Sequence, residues 1–130
     1  MVEGRATFHK QERLVSRRLI EQLFGTPASR SLAQYPLRVV YQLRERSEDD
    51  EPVQMLVSVP KKRFKHAVDR NRVKRQVREA YRHSKQTLYD ALPPDKALTV
   101  AFVWLTDRHQ PTAEVTAKVT TLVDKLAERL

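Results

Sequence analysis

The sequence predicts a small α+β domain, and three observations carry that reading. The chain has 130 residues, room for one domain and one core. Its apolar residues fall into segments of helical and of strand-like period, in the order helix–strand–strand–helix–strand–helix. One near-continuous apolar run, Ala97 to Leu105, suits a central strand buried on both faces. No repeat or linker divides the chain. Residues 1–130 therefore read as a single domain with helices on one or both faces of a sheet.

The elements follow in order. Residues 1–15 lack periodicity and read as an extended arm. Ser16 can cap a short helix that runs to Phe24, with Leu19, Ile20, Leu23 and Phe24 on one face, and Gly25 followed by Pro27 ends it. Residues 26–34 form a loop with room for a short edge strand. Tyr35 to Leu43 is rich in β-branched and aromatic residues and reads as a strand; Pro36, which has no N–H to donate, places its start at an edge. The acidic run Glu48–Glu51 reads as an exposed loop. Pro52 to Val59 is a further strand, stopped by Pro60.

Residues 66–92 give the strongest helical signal. At 100° per residue, Val73, Val77, Ala80, Tyr81, Ser84, Leu88, Ala91 and Leu92 fall within about 120° of one another. Asn71, Lys74, Arg75, Arg78, Arg82 and Lys85 fall within about 100° on the opposite side. Arg70 and Arg72 lie outside that stripe, with Arg70 turned back toward the sheet side. Pro93 and Pro94 end the helix. After the apolar strand and a turn at Asp107–Gln110, the spacing of Val115, Val119, Leu122, Val123, Leu126 and Leu130 predicts a C-terminal amphipathic helix.

Charge narrows the function. The chain carries 25 Lys and Arg against 16 Asp and Glu, a net +9. Between Lys61 and Arg82 there are 10 basic residues and 2 acidic ones, so this stretch holds +8 of the +9. Like charges at that density repel one another unless a polyanion offsets them, which points to nucleic acid. Other classes are disfavoured. There is no cysteine, hence no thiol nucleophile and no Cys-based zinc site. Four scattered histidines show no metal-ligand spacing, and no serine has a neighbouring base–acid pattern. Two glycines cannot build a phosphate-binding glycine loop. The basic helix lacks the short preceding helix and tight turn of a helix-turn-helix. No segment approaches a membrane span, and the N-terminus has no apolar signal region, so the expected location is the cytoplasm with no membrane partner. The basic helix alone does not exclude a structural RNA-binding protein, such as a ribosomal component.

The segment VSVPKKRFKHAVDRNRVKRQVREAYR, Val57 to Arg82, resembles the signature of the bacterial ribonuclease P protein subunit. The matching features are the basic pair Lys61–Lys62 after a strand, Ala67–Val68, then Arg70–Asn71–Arg72, Lys74–Arg75 and Arg78 at helical spacing. Glu12–Arg13–Leu14, Leu23–Phe24 and Val39–Val40–Tyr41 support it upstream. The resemblance implies a two-layer α–β sandwich, about four strands packed by three helices, with a left-handed βαβ crossover like that of ribosomal protein S5 domain 2. That handedness is opposite to the general rule. It also implies a ribonucleoprotein that removes the 5′ leader from precursor tRNA. The catalytic RNA and its Mg2+ ions would carry the chemistry, and the chain would contribute no catalytic residue, no metal site of its own and need no obligate protein partner. On this likeness Lys61, Lys62, Arg70, Asn71, Arg72, Lys74, Arg75, Arg78 and Arg82 would meet the catalytic RNA. Ile20, Phe24, Tyr41, Phe64 and Lys65 would meet the leader, in a cleft between the first helix and the sheet. Ile20 stands where the family often has an aromatic residue.

Overall fold

A computed structural model describes residues 10–130. Of the predicted arm, residues 1–9, with Phe8 and His9, lie outside the described residues. The elements are a 3-10 turn at Lys10–Glu12, then α1 (Arg17–Gly25), β1 (Arg30–Gln34), β2 (Leu37–Glu45), β3 (Val53–Ser58), α2 (Ala67–Ser84), α3 (Gln86–Ala91), β4 (Lys96–Trp104) and α4 (Thr112–Glu128). The strands form one sheet in the order β1-β2-β4-β3. β1 with β2 and β2 with β4 are antiparallel, whereas β3 and β4 are parallel. The β3–α2–α3–β4 unit is therefore a βαβ crossover between adjacent strands, and the whole is an α+β sandwich.

Strand alternation sends side chains to two different cores. Leu37, Val39 and Tyr41 of β2 join Met55, Val57, Val100, Phe102 and Trp104 on one face, against α2, α3 and α4. On the other face Val40 and Ala101 pack with Leu14 and Leu23, with Leu19 and Ile20 of α1 beside them. Helices thus cover both faces, three on one and α1 on the other. β4 is central and almost wholly buried, as its apolar run predicts. β2 is also interior to the sheet, contrary to the edge expected from Pro36. The proline sits in the turn before the strand, after a cis Tyr35–Pro36 peptide, so its missing N–H interrupts no ladder. The edge on that side of the sheet is β1, formed from residues expected to be largely loop, and β3 is the other edge.

Two further expectations change. The helix expected over 66–92 is divided at Lys85. The Ser84 hydroxyl donates to the Ala80 carbonyl at 3.0 Å, and the Leu88 N–H bonds Lys85 O at 2.9 Å in an i to i−3 step, so the α-helical ladder is interrupted there. Lys85, expected on the basic stripe, is instead 1% exposed, with its ammonium 2.6 Å from the Glu12 carboxylate. The Tyr89 hydroxyl donates to the same Glu12 oxygen at 2.7 Å. Burial, then the charges of Tyr81 and Glu12 and that hydrogen bond, push the Tyr89 hydroxyl well above its ordinary range, so it stays a donor. This contact ties the segment after residue 9 to the α2–α3 joint. Leu14 N–H bonding Met55 O at 2.9 Å and an Arg13–Met55 bridge continue the attachment along β3. From Lys10 onward the predicted arm is docked.

The acidic loop is also built. Asp50 accepts from the Ser47 N–H at 2.8 Å, the Ser47 hydroxyl at 2.8 Å and Arg44 at 2.9 Å. The Ser47 bonds first, and Arg44 after them, lower its carboxyl from the ordinary 3.8 to about 2.

Two outcomes follow. Lys85→Met or Glu12→Gln should each cost about 3–5 kcal/mol in chemical denaturation, because each strips the charge from one side of a buried ion pair; the Glu12→Leu/Lys85→Met double variant should recover much of that loss. Asp50 has a depressed pKa, so its stabilising effect is complete above about pH 4 and is lost as pH falls through about 2. An acid titration of stability should therefore show the gap between wild type and Asp50→Asn closing over that window, with no change in the gap at neutral pH.

Candidate nucleic-acid interface

The candidate interface is built on α2. Its apolar positions Val73, Val77, Ala80 and Tyr81 are buried, which fixes the rotation of the helix and forces Asn71, Arg72 and Arg75 outward, where they are exposed. Lys74 and Arg78 are half-buried, their stems lying along the helix flank. Asp69 in the first turn and Arg82 with His83 in the last complement the helix dipole. The described geometry thus bears out an outward cationic face on the segment where the sequence concentrates charge.

Before α2, the chain leaves β3 at Pro60 and turns, with Arg63 N–H bonding Pro60 O at 2.9 Å. Lys61, Lys62 and Lys65 are exposed on this loop. Arg70 holds it: its Nη1 donates to the carbonyl oxygens of Phe64 at 2.8 Å and Lys65 at 2.9 Å. Arg70 is expected to meet RNA; its Nη1 is committed to the loop, which sets the three lysines beside the start of α2. Phe64 differs too. It is 8% exposed and stacks on His109, with ring centroids 4.5 Å apart, while His109 bonds Asp69 at 3.0 Å. A base cannot reach its ring, because the apolar side chain is more stable closing the end of the core. Arg82 is engaged with Glu79 at 2.6 Å, an exposed pair that solvent screens and a phosphate can compete for.

One cation was missed by the sequence reading. Arg13 is exposed, and its charge acts on Arg78: burial first, then Arg13, pushes the Arg78 guanidinium below its ordinary range. The bridge to Met55 brings Arg13 from a segment 65 residues earlier to the same ridge. No periodicity in residues 10–15 could have signalled this, since the placement comes from long-range contacts to Met55 and, through Glu12, to Lys85.

A second surface lies across the sheet, beneath α1. Ser16 caps this helix by accepting from Leu19 N–H at 3.3 Å. Leu23 is buried on the sheet and Ile20 is half-buried beside it, so Phe24 is left 50% exposed at the helix end. A cavity of about 140 Å³ separates Phe24 from β1 and β2, with Ser31, Arg38 and Val40 on its wall. Tyr41, expected here, is not part of it. In a strand with side-chain period two, Arg38 and Val40 face α1 and Tyr41 faces the other way, where it is 3% exposed in the main core. Alternation could have identified Arg38 as a polar group of this cleft, which Arg30 also lines. Among the described residues no group of three or more His, Asp or Glu side chains converges as a metal site. No helix among them is long and apolar enough to cross a membrane.

Comparison with known proteins agrees with this geometry. The family model described as Ribonuclease P matches residues 8–127. The ribonuclease P protein component of Porphyromonas gingivalis is 48% identical over 105 residues, covering 78% of this chain and 74% of that one. That of Chlorobium phaeobacteroides is 40% identical over 86 residues, covering 64% and 57%. Among solved structures, the Staphylococcus aureus RNase P protein superposes with a TM-score of 0.68 at 19% identity, over 90% of this chain and 95% of that one. The Thermotoga maritima protein gives 0.65 at 23%, over 88% and 96%. The structures speak for the fold, and the family model and the sequence relatives speak for descent: the chain belongs to the ribonuclease P protein component family.

Proposed function

We propose that this chain is the protein subunit of a ribonuclease P ribonucleoprotein, which binds the catalytic RNA and the 5′ leader of precursor tRNA and assists endonucleolytic removal of the leader in the cytoplasm. The observation that carries the reading is the juxtaposition on α2: Asn71, Arg72 and Arg75 exposed on a rigid helix, next to a loop that presents Lys61, Lys62 and Lys65. Arginine forks suit bidentate contact with phosphate, and an exposed asparagine can bond a base edge or a ribose hydroxyl. A rigid helix holds these groups in place before the RNA arrives, so little conformational freedom is lost on binding.

The catalytic RNA and its Mg2+ ions would supply the hydrolytic chemistry, and no step is assigned to a protein nucleophile. The protein's part is to neutralise phosphates and to position the substrate. The leader would lie in the α1 cleft, where the exposed Phe24 ring offers a stacking face and Arg38 a cation beside it. Leu23 and Val40 provide apolar lining there, and Ile20 packs on the same small core beneath α1. Because α1 and α2 pack on opposite faces of the sheet, the two RNA contacts are separate, and substitutions should divide them.

Arg75→Glu should weaken binding of the catalytic RNA by about tenfold or more and lower the slope of log affinity against log salt by about one, with an unchanged thermal midpoint. Filter binding across a salt series reads both; an unchanged affinity at moderate salt would remove Arg75 from the interface. Phe24→Ala in the reconstituted ribonucleoprotein should cost about 1–3 kcal/mol in affinity for leader-bearing precursor, with mature tRNA unaffected. An equal loss for both RNAs would indicate that Phe24 only packs.

A further inference from the structure

β1 is shorter than the strand it pairs with. Its pairing runs from Gln34↔Leu37 to Arg30↔Tyr41 and stops, whereas β2 continues to Glu45, held on its inner side by β4 as far as Glu45↔Lys96. Among the described residues no strand takes up the line of β1 beyond Arg30, so Gln42 to Glu45 keep an outer edge without a strand partner. The gap is a cavity of about 610 Å³, walled by Tyr41, Gln42 and Leu43 of β2, by Arg30 and by Arg129, which caps the C-terminus of α4. Buried Tyr41 closes it inward, and Leu43, 37% exposed, gives it an apolar wall. Arg30 and Arg129 are both exposed, and among the described residues neither lies within ion-pair distance of a carboxylate. Elsewhere arginines are held, Arg44 by Asp50 at 2.9 Å and Arg82 by Glu79 at 2.6 Å. No carboxylate lines the cavity. Two guanidiniums without acidic partners beside one cavity make it a site for an anion of phosphate type.

Arg30 also lines the α1 cavity, with Phe24, Arg38 and Val40, so the two cavities adjoin at the end of β1. We infer that the leader leaves the α1 cleft there, rounds Arg30 and sets a further nucleotide in this notch at the sheet edge, its phosphate between Arg30 and Arg129 and its base against Leu43. The inference rests on the leader-binding reading above and adds to it where the leader goes next and a residue, Arg129, that receives it. The fold also gives the direction. The lysine loop follows β3, at the opposite edge of the sheet, so the end of the leader joined to tRNA belongs on that side and the free 5′ end on the β1 side. A single strand can make the turn around a strand end, whereas a duplex is too stiff to do so. The competing occupant is an extended peptide that adds a strand to the free β2 edge. Main-chain pairing needs no cations, so the two unpartnered guanidiniums and the continuity with the α1 cleft favour RNA.

The test uses precursor tRNAs with leaders lengthened one nucleotide at a time, titrated against the reconstituted ribonucleoprotein. For wild type, affinity should rise in two stages, first as the leader fills the α1 cleft and again as it reaches the notch. Arg129→Glu should follow the wild-type curve through the first stage and lose the second, a deficit of about three- to tenfold confined to the longer leaders. Lys125→Glu makes the same charge change one turn earlier on α4, outside the notch, and should keep both stages. A second stage retained by Arg129→Glu, or lost equally by Lys125→Glu, or a wild-type curve with one stage only, would overturn the notch assignment and leave the α1 cleft reading standing. The free β2 edge would then be left to a peptide strand. Wild-type affinity that does not change with leader length at all would overturn the leader reading and the notch with it.

Discussion

The structure depends on how α2 divides its surface. The helix must bury Val73, Val77, Ala80 and Tyr81 while carrying Asn71, Arg72 and Arg75 into water. Fully burying one such aliphatic side chain is worth about 1.5–3 kcal/mol, so a rotation that exchanged the faces would lose several of these terms and would also bury charges. Packing therefore decides which side the cations occupy, and electrostatics then decides what they attract. The ridge is held together against its own repulsion by an apolar core on the opposite side of the helix.

The other features around α2 make that ridge rigid. Arg70 gives up one guanidinium nitrogen to the loop carbonyls of Phe64 and Lys65, which sets the lysine loop against the helix start. Phe64 stacked on His109 closes the core beneath it. At the far end, the buried Glu12–Lys85 pair, with Tyr89, brings the N-terminal segment across to the α2–α3 joint and seats Arg13 near Arg78. A basic face assembled from two separate stretches of chain, Arg13 and the continuous run from Lys61 through α2, is thus placed by contacts behind it.

Much of this was legible in the sequence because periodicity reports burial. The six periodic segments were found, β4 was recognised as central from its unbroken apolar run, and the outward placing of Asn71 and Arg75 on α2 followed from the 100° spacing, which left the equally exposed Arg72 off the stripe. What was not legible depended on long-range pairing. Lys85 at a solvent-facing angle is indistinguishable in sequence from Arg75, yet it is buried because Glu12, 73 positions earlier, meets it. Phe64 and Tyr41 look like stacking residues in one dimension. In the fold both are inside, and for Tyr41 the strand alternation with Val40 already carried the contrary information. β1 was weakly signalled because RSLAQ has little β-branched content and gains its place from pairing with β2. The breadth of the fold was set by local pattern, and the details of the site by contacts that no local pattern contains.

The central claim is that two faces of one sheet serve two RNAs, the α2 ridge for the catalytic RNA and the α1 cleft for the leader. Site-specific photocrosslinking in the assembled ribonucleoprotein tests this most directly, with a photoreactive side chain placed in turn at Asn71 and at Arg38. The account predicts that the Asn71 probe attaches to the catalytic RNA and the Arg38 probe to the leader of bound precursor tRNA. Attachment of both probes to the same RNA, or of the Asn71 probe to neither, would contradict it.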